Sequence, residues 1–397
     1  MKKIILGFVF LLGMTTHVYA NENNNFEYPF ISGDILTEFT TDFMSEGKYK
    51  VRNDDKRTNS FFIIEPDFKV NLNERWLINT QWLIRPVEDR VYQGSGFGDS
   101  SAIVGGNSNS DYYGKENRVQ RKIHTDDYGI LIEKMSLDFK AEDAAFGFGK
   151  FSPSFGKAFE KNKFHGVYGH LMPLEYELKE KIGGYITAIF DSSNIRLNLF
   201  FDDRTDLSRS SFRDRGRDKS YGGSGNTGRL NSYSITWEGE NFFKVDNLDY
   251  NLGYRNLKTQ RFNEDDEEGY LLGLKYTKEF DNNIIFIPFT EFAVFDNFDG
   301  MRGRDLSYYT VSLPVVYKGW NFVTSETIKQ DKETNYKKYT SYLRQYSAGY
   351  KFNNGVMFDV ARKEYKNTFK VNDSTVPYKT TERENGWGIM LSYMYKF

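Results

Sequence analysis

The last eleven residues of this 397-residue chain constrain its fold more than any other stretch. They read Trp387, Gly388, Ile389, Met390, Leu391, Ser392, Tyr393, Met394, Tyr395, Lys396, Phe397. Every odd position is bulky and apolar, and a strand sends alternate side chains to opposite faces, so six such residues line one face. A soluble protein would gain nothing from an apolar strand left as a sheet edge. The pattern makes sense if that face meets lipid and the strand closes a barrel, the one kind of sheet that leaves no unpaired edge in a bilayer.

At the other end, residues 1–20 have the layout of a secretory signal. Lys2 and Lys3 supply a positive start, Ile4 to Met14 an apolar run too short to span a bilayer, and Val18-Tyr19-Ala20 the residues a signal peptidase reads. The expected mature domain is 21–397.

Composition agrees with a barrel. The chain has no Cys, which excludes a disulfide framework and thiolate metal sites, and its net charge of -2 argues for no nucleic-acid partner. It is polar on average yet carries 35 Phe and 28 Tyr. That pairing suits a barrel with an aromatic lipid face and a polar lumen and loops.

Sixteen segments show period-two patterning, beginning near residues 31, 58, 75, 128, 143, 179, 194, 230, 246, 269, 283, 306, 319, 340, 355 and 384. In 194–203, for example, Ile195, Leu197, Leu199 and Phe201 alternate with Asn194, Arg196, Asn198 and Asp202. Two segments are irregular: Glu133 sits on the apolar face of 128–140, and in 319–329 the pattern fades after Phe322. Pro66, Pro288 and Pro314 remove ladder donors and mark strand ends or bulges.

Short connections follow the even segments and long polar ones the odd segments: 44–57, 87–127, 153–178, 204–229, 257–268, 297–305, 330–339 and 367–383. This predicts an all-β, antiparallel, up-and-down transmembrane barrel of about 16 strands, with short periplasmic turns, long external loops and both termini in the periplasm. A barrel of that size leaves an aqueous channel.

The terminal segment resembles the C-terminal strand of Gram-negative outer-membrane β-barrels, and the whole mature chain resembles the sixteen-stranded porins. The stretch Gly149 to Gly156 resembles the strand-and-turn at the fifth strand of phosphate-selective-type porins. The resemblance implies insertion by the barrel-assembly machinery, with Tyr393, Tyr395 and Phe397 as the insertion signal. It also implies a homotrimer, contact with outer-membrane lipid and lipopolysaccharide, and a third loop, 153–178, folded into the lumen. That loop carries Lys157, Glu160, Lys161, Lys163, His165 and His170, a set that would select ions by sign at a constriction.

Inward positions complete the expected lining. Arg75, Arg85, Lys134, Arg196, Arg255 and Lys275 are basic; Asp34, Glu38, Glu65, Asp67, Asp138 and Glu291 are acidic. Two roles are open to them: ion selection, or mutual pairing that stiffens the wall. Gly147, Gly149, Gly253, Gly269 and Gly273 fall on the same side, where a missing side chain would admit a folded-in loop or let the wall bend.

The acidic run Glu264 to Glu268 fits no calcium loop and reads as a solvated loop. Of the mature chain's His124, His165 and His170, no pair has zinc-helix spacing, and no nucleophile elbow or phosphate-binding motif is present. No cofactor or metal is expected. The leading function is a passive channel for small hydrophilic solutes; the second is a non-conducting barrel acting as adhesin or receptor through its loops, and the third a barrel enzyme using one His or loop carboxylate.

Overall fold

The computed structural model describes residues 27–49, 52–53, 57–86, 128–160, 166–209, 211, 222–334, 337–371 and 378–397. The proposed signal, 1–20, lies outside the described residues. Sixteen antiparallel strands follow one another around a closed barrel. They are β1 Phe30–Tyr49, β2 Arg57–Asn71, β3 Trp76–Pro86, β4 Tyr128–Lys140, β5 Ala144–Phe151, β6 Lys181–Phe190, β7 Ser193–Asp202 and β8 Ser232–Gly239. Then come β9 Leu248–Leu257, β10 Glu267–Tyr276, β11 Phe289–Asp296, β12 Asp305–Tyr317, β13 Trp320–Thr334, β14 Lys337–Lys351, β15 Met357–Val371 and β16 Tyr378–Lys396. Two-residue Lys278–Glu279 prolongs β10, and Ile284–Phe286 prolongs β11 beyond Pro288, which interrupts it. Pro66 and Pro314, by contrast, lie inside β2 and β12.

The seam joins the first strand to the last. β1 pairs with β16 from Asp34 opposite Lys396 to Lys48 opposite Arg383. Beyond that register Gly33 and Phe397 exchange both backbone bonds, at 3.0 and 3.1 Å.

Burial is inverted relative to a soluble protein. On outward positions Leu391 is 45% exposed, Ile186 57% and Phe148 55%, whereas inward Thr310, Gln345 and Asn198 are fully buried. Tyr393, Tyr395 and Phe397 are exposed on the outward face, as the terminal alternation predicts. Leu391, opposite Phe39 and Phe358 on that face, gives a direct check. Leu391→Arg should lower the stability of the bilayer-inserted barrel by about 2–4 kcal/mol. Denaturant titration of refolding into lipid vesicles measures it, and an unchanged midpoint would show that this face does not meet lipid.

The irregular residue of β4 has a structural cause. Gln81 pairs with Lys134 and Trp82 with Ile132, so Glu133 is an extra residue in a β-bulge. A bulge re-aims side chains by resetting the alternation. Leu131 and Ser136 both face inward although their parities differ, and Met135 faces out. Glu133 and Lys134 thus both reach the lumen, Glu133 within electrostatic range of Lys179 and Lys134 of Asp67.

Three expected loops are largely strand. β1 runs on to Tyr49, Arg52–Asn53 pairs back onto it and β2 starts at Arg57, in place of a loop over 44–57. β13 runs on to Thr334 and β14 starts at Lys337, in place of a loop over 330–339; β15 runs to Val371 and β16 starts at Tyr378, in place of 367–383. Past the lipid a strand is polar on both faces, so hydropathy no longer reveals it, although its backbone ladder continues.

Candidate pore-lining site

The connection from β5 to β6, described over residues 152–160 and 166–180, turns inward and binds the inner faces of strands from β8 round to β1. Ser154 Oγ is 2.9 Å from Thr236 Oγ1 on β8. Glu291 on β11, 1% exposed, accepts from the backbone N–H of Lys157 (2.7 Å) and Ala158 (3.1 Å) and from Tyr176 Oη. Arg255 on β9 donates to the Tyr176 carbonyl at 2.6 Å. Glu175 accepts from Tyr308 Oη of β12 at 2.6 Å and from Lys329 of β13. Tyr168 donates its N–H to Gln345 Oε1 on β14 and its hydroxyl to Asp42 on β1, both at 2.7 Å. Lys363 on β15 binds the same Asp42 at 2.9 Å and Glu384 on β16 at 3.0 Å.

Close packing accompanies these bonds. Phe155, fully buried, packs 5.9 Å from Phe295, and Tyr176 lies 4.9 Å from Tyr308. Arg255 stands 4.8 Å over Phe155 and 4.3 Å over Phe295, a cation held by two ring faces. A Cβ on Gly253 would meet the Phe155 ring at 3.1 Å, and one on Gly388 would lie 2.0 Å from Tyr168 Oη. Glycine at these two wall positions is therefore what lets the loop come this close. The wall beneath the loop is apolar in part, with Leu271, Ala293, Phe295 and Leu306 among its polar anchors, so the lumen is not uniformly polar.

Several expected lining residues have other roles. Arg75 sits exposed in the turn before β3, outside the wall, because the strand begins only at Trp76. Arg255 and Glu291 are buried beneath the loop, and Arg255 is also bound to Glu267. His170 is buried in the loop rather than part of an open charged ring. Lys275 pairs with Asp249 opposite it at 2.7 Å. Lys161, Lys163 and His165 lie outside the described residues.

Other expected residues do stand on the inner wall: Asp34, Glu38, Glu65, Asp67, Arg85, Lys134, Asp138 and Arg196. Arg196 lies 4.2 Å over the Tyr185 ring and donates to Thr187 at 2.8 Å, while Tyr185 Oη donates to Asp138 at 3.0 Å. From the loop, Lys157 bonds Glu160 at 3.4 Å and Glu238 of β8 at 3.1 Å, and all three keep water contact. Lys179 pairs with Glu177 at 3.1 Å; burial works against its charge, but Glu177 and Glu133 outweigh this and raise its pKa. In a ring of sixteen strands β3 stands opposite β11, so Glu65, Asp67, Arg85, Glu133 and Lys134 on β2–β4 face the anchored loop.

A second inward cluster joins residues of β7, β9, β10 and β13 to the connections that carry Ser224, Asp299 and Arg304. Glu267 accepts from Arg255, from Ser224 Oγ at 2.8 Å and from the Asp299 N–H at 2.7 Å. Arg304 holds Asp331 through two bonds of 3.1 and 2.7 Å. Burial, opposed by Arg304 and reinforced by Glu267, Asp202 and Glu264, pushes the Asp299 carboxyl up to about 8. Its folded form keeps a proton that the unfolded chain releases, so stability is greatest below the ordinary aspartate range and falls until pH about 8. Asp299→Asn should flatten that slope, which is at most about 1.4 kcal/mol per pH unit. Melting in detergent from pH 4 to 9 tests it: equal slopes for parent and variant would contradict a neutral Asp299.

Fold and site together define a porin-like barrel with its third loop turned inward. No family model matches the sequence, and no curated protein matches it. Among solved structures, the fold is similar to that of the outer membrane channel DcaP of Acinetobacter baumannii (TM-score 0.52, 9% identity, 92% of this chain and 96% of that one). It is also similar to OccAB3 of the same species (TM-score 0.51, 8% identity, 92% and 99%). A third similar structure is a loop L8 deletion mutant of OmpT, an outer membrane protein of Vibrio cholerae (TM-score 0.50, 10% identity, 92% and 99%).

Proposed function

We propose that this protein is a diffusion channel of the outer membrane for small hydrophilic solutes or ions, with the short turns and both termini in the periplasm. The observation that carries this reading is the inversion of burial around a sixteen-stranded ring, too wide for wall side chains alone to fill. Its fold neighbours include a protein described as an outer membrane channel, which agrees.

The constriction lies between the anchored loop and the opposing β2–β4 wall. There Lys157, Glu160 and Lys179 face a wall of both signs, so selection arises from the local field along the path and not from net charge. The loop's bonds to Glu291, Tyr308, Lys329, Gln345 and Asp42 hold it in place, so the passage has a fixed cross-section.

Planar-bilayer recording of the folded protein tests the function. Stable conductance steps, proportional to salt, are expected. A barrel shown to be folded by heat-shifted gel mobility, yet electrically silent, would overturn the channel reading and leave a surface receptor.

A further inference from the structure

Asp299 lies in the connection from β11 to β12 and is 8% exposed. Among the described residues its carboxyl has no hydrogen-bond or ion-pair partner. Cations stand near it, but each is committed elsewhere. Arg304, in the same connection, holds Asp331 of β13 through both of its bonds. Arg255 of β9 holds Glu267 of β10, and Lys181 of β6 holds Asp202 of β7. Arg261 stands 3.8 Å from Glu264. Glu267, Asp202 and Glu264 are all within electrostatic range of Asp299 and disfavour its charge. Neutral, the carboxyl is tolerated there. Ionised, it is a buried anion among three other carboxylates with no cation left over for it.

This position is joined to the inward loop by direct contacts. Glu267 accepts from the N–H of Asp299 at 2.7 Å and from Ser224 Oγ at 2.8 Å while it binds Arg255. Arg255 in turn donates to the Tyr176 carbonyl of the loop at 2.6 Å. Phe298, next in the chain to Asp299 and buried, packs 5.4 Å from Phe295, one of the two rings on which Arg255 rests. Asn297 and Asp299 both hold a left-handed backbone, with φ of 51° and 62°. Residues other than glycine disfavour that conformation, so contacts and not local preference keep this connection down. Coupling between two places needs an element with two states that bears on both, and the two protonation states of Asp299 supply it.

We propose that Asp299 is an alkaline-sensitive switch for the inward loop. Neutral, it lets connection 297–304 lie closed over Glu267 and Arg255. Ionised, it is driven away from Glu267, the connection lifts, and Arg255 loses the frame that holds it on Tyr176. The side that is sensed is the one with the long connections. The switch adds regulation to the channel reading and rests on it.

A carboxyl that titrates at about 8 is ionised about thirtyfold more often at pH 9 than at pH 6.5. Single-channel recording with those two pH values on the loop side should therefore show brief current fluctuations about thirtyfold more frequent at pH 9. Asp299→Asn should be as quiet at pH 9 as the parent at pH 6.5. Asp305→Asn, which breaks an exposed pair with Lys332, should switch as the parent does. If Asp299→Asn fails to fold, Asp299→Ser takes its place. Amide exchange over 152–160 and 166–180 in detergent reads the same event without conductance. Compared at one pH, where intrinsic exchange cancels, the parent should exceed Asp299→Asn at pH 9 and equal it at pH 6.5. A parent indifferent to pH, fluctuations that persist in the variant, or equal exchange at pH 9 overturns the proposal. A parent that shows the exchange difference but never conducts would sink the channel reading alone.

Discussion

Deleting residues 157–170 should raise single-channel conductance at least about twofold, because a sixteen-stranded wall without an inward loop encloses a wide aqueous bore. The deleted stretch carries Ala158, fully buried, together with the buried Val167, Tyr168 and His170. Its removal also takes away the Tyr168 bonds to Gln345 and Asp42. The wall itself should survive, since its ladders are intact without the loop. Two readouts are needed: conductance in a planar bilayer, and the size limit for sugars in a liposome-swelling assay, which should rise together. Unchanged conductance would mean that the loop does not limit flow and would move selectivity to the β2–β4 wall.

Glu291→Leu should have the largest effect of any single substitution on the loop. Glu291 is one buried carboxylate serving two backbone N–H groups and a phenol from two separate parts of the loop. Its removal leaves two buried donors and one part-buried donor unsatisfied, a cost of about 3 kcal/mol. Leucine fills the volume but accepts no hydrogen bond. Glu291→Gln keeps one carbonyl oxygen and should fall between. Tyr176→Phe removes a single donor, and its effect should shrink sharply in the Glu291→Leu background. The expected signs are a lower melting temperature in detergent and a noisier open channel, as the loop moves against the wall. A quiet channel with parental stability would show that Glu291 does not anchor the loop.

The two sets of residues differ in how far sequence could reveal them. Period-two patterning located all sixteen strands because each strand is sandwiched between lipid and lumen, and that contrast is written residue by residue. It named Arg196, Asp138 and Glu65 as inward for the same reason. Periodicity cannot say what covers an inward residue. Arg255 and Glu291 have the same parity as residues that keep water contact, and only the path of the loop over them distinguishes the two groups. Sequence does not reveal Asp42, Gln345, Lys363 and Glu384 as anchors because their partners are remote in the chain: Tyr168 is 126 residues from Asp42 and 177 from Gln345. Of the two irregular segments, Glu133 on an apolar face is the one that a bulge explains. Arg75 fell on the wrong side of a strand boundary, where period-two reading is weakest. The upper parts of β13–β16 were invisible because lysine and threonine on both faces look like loop.

The mutual hydrogen bonds of Gly33 and Phe397 bear on how such a molecule comes into being. The ladder that abolishes both sheet edges, of which this contact is the end, joins the first described strand to the last, so it forms only after β16 has been made. Until then both flanks are templates for another chain. Closure over so long a sequence separation is also slow. The polypeptide must therefore be kept apart from its own kind until the first strand meets the last.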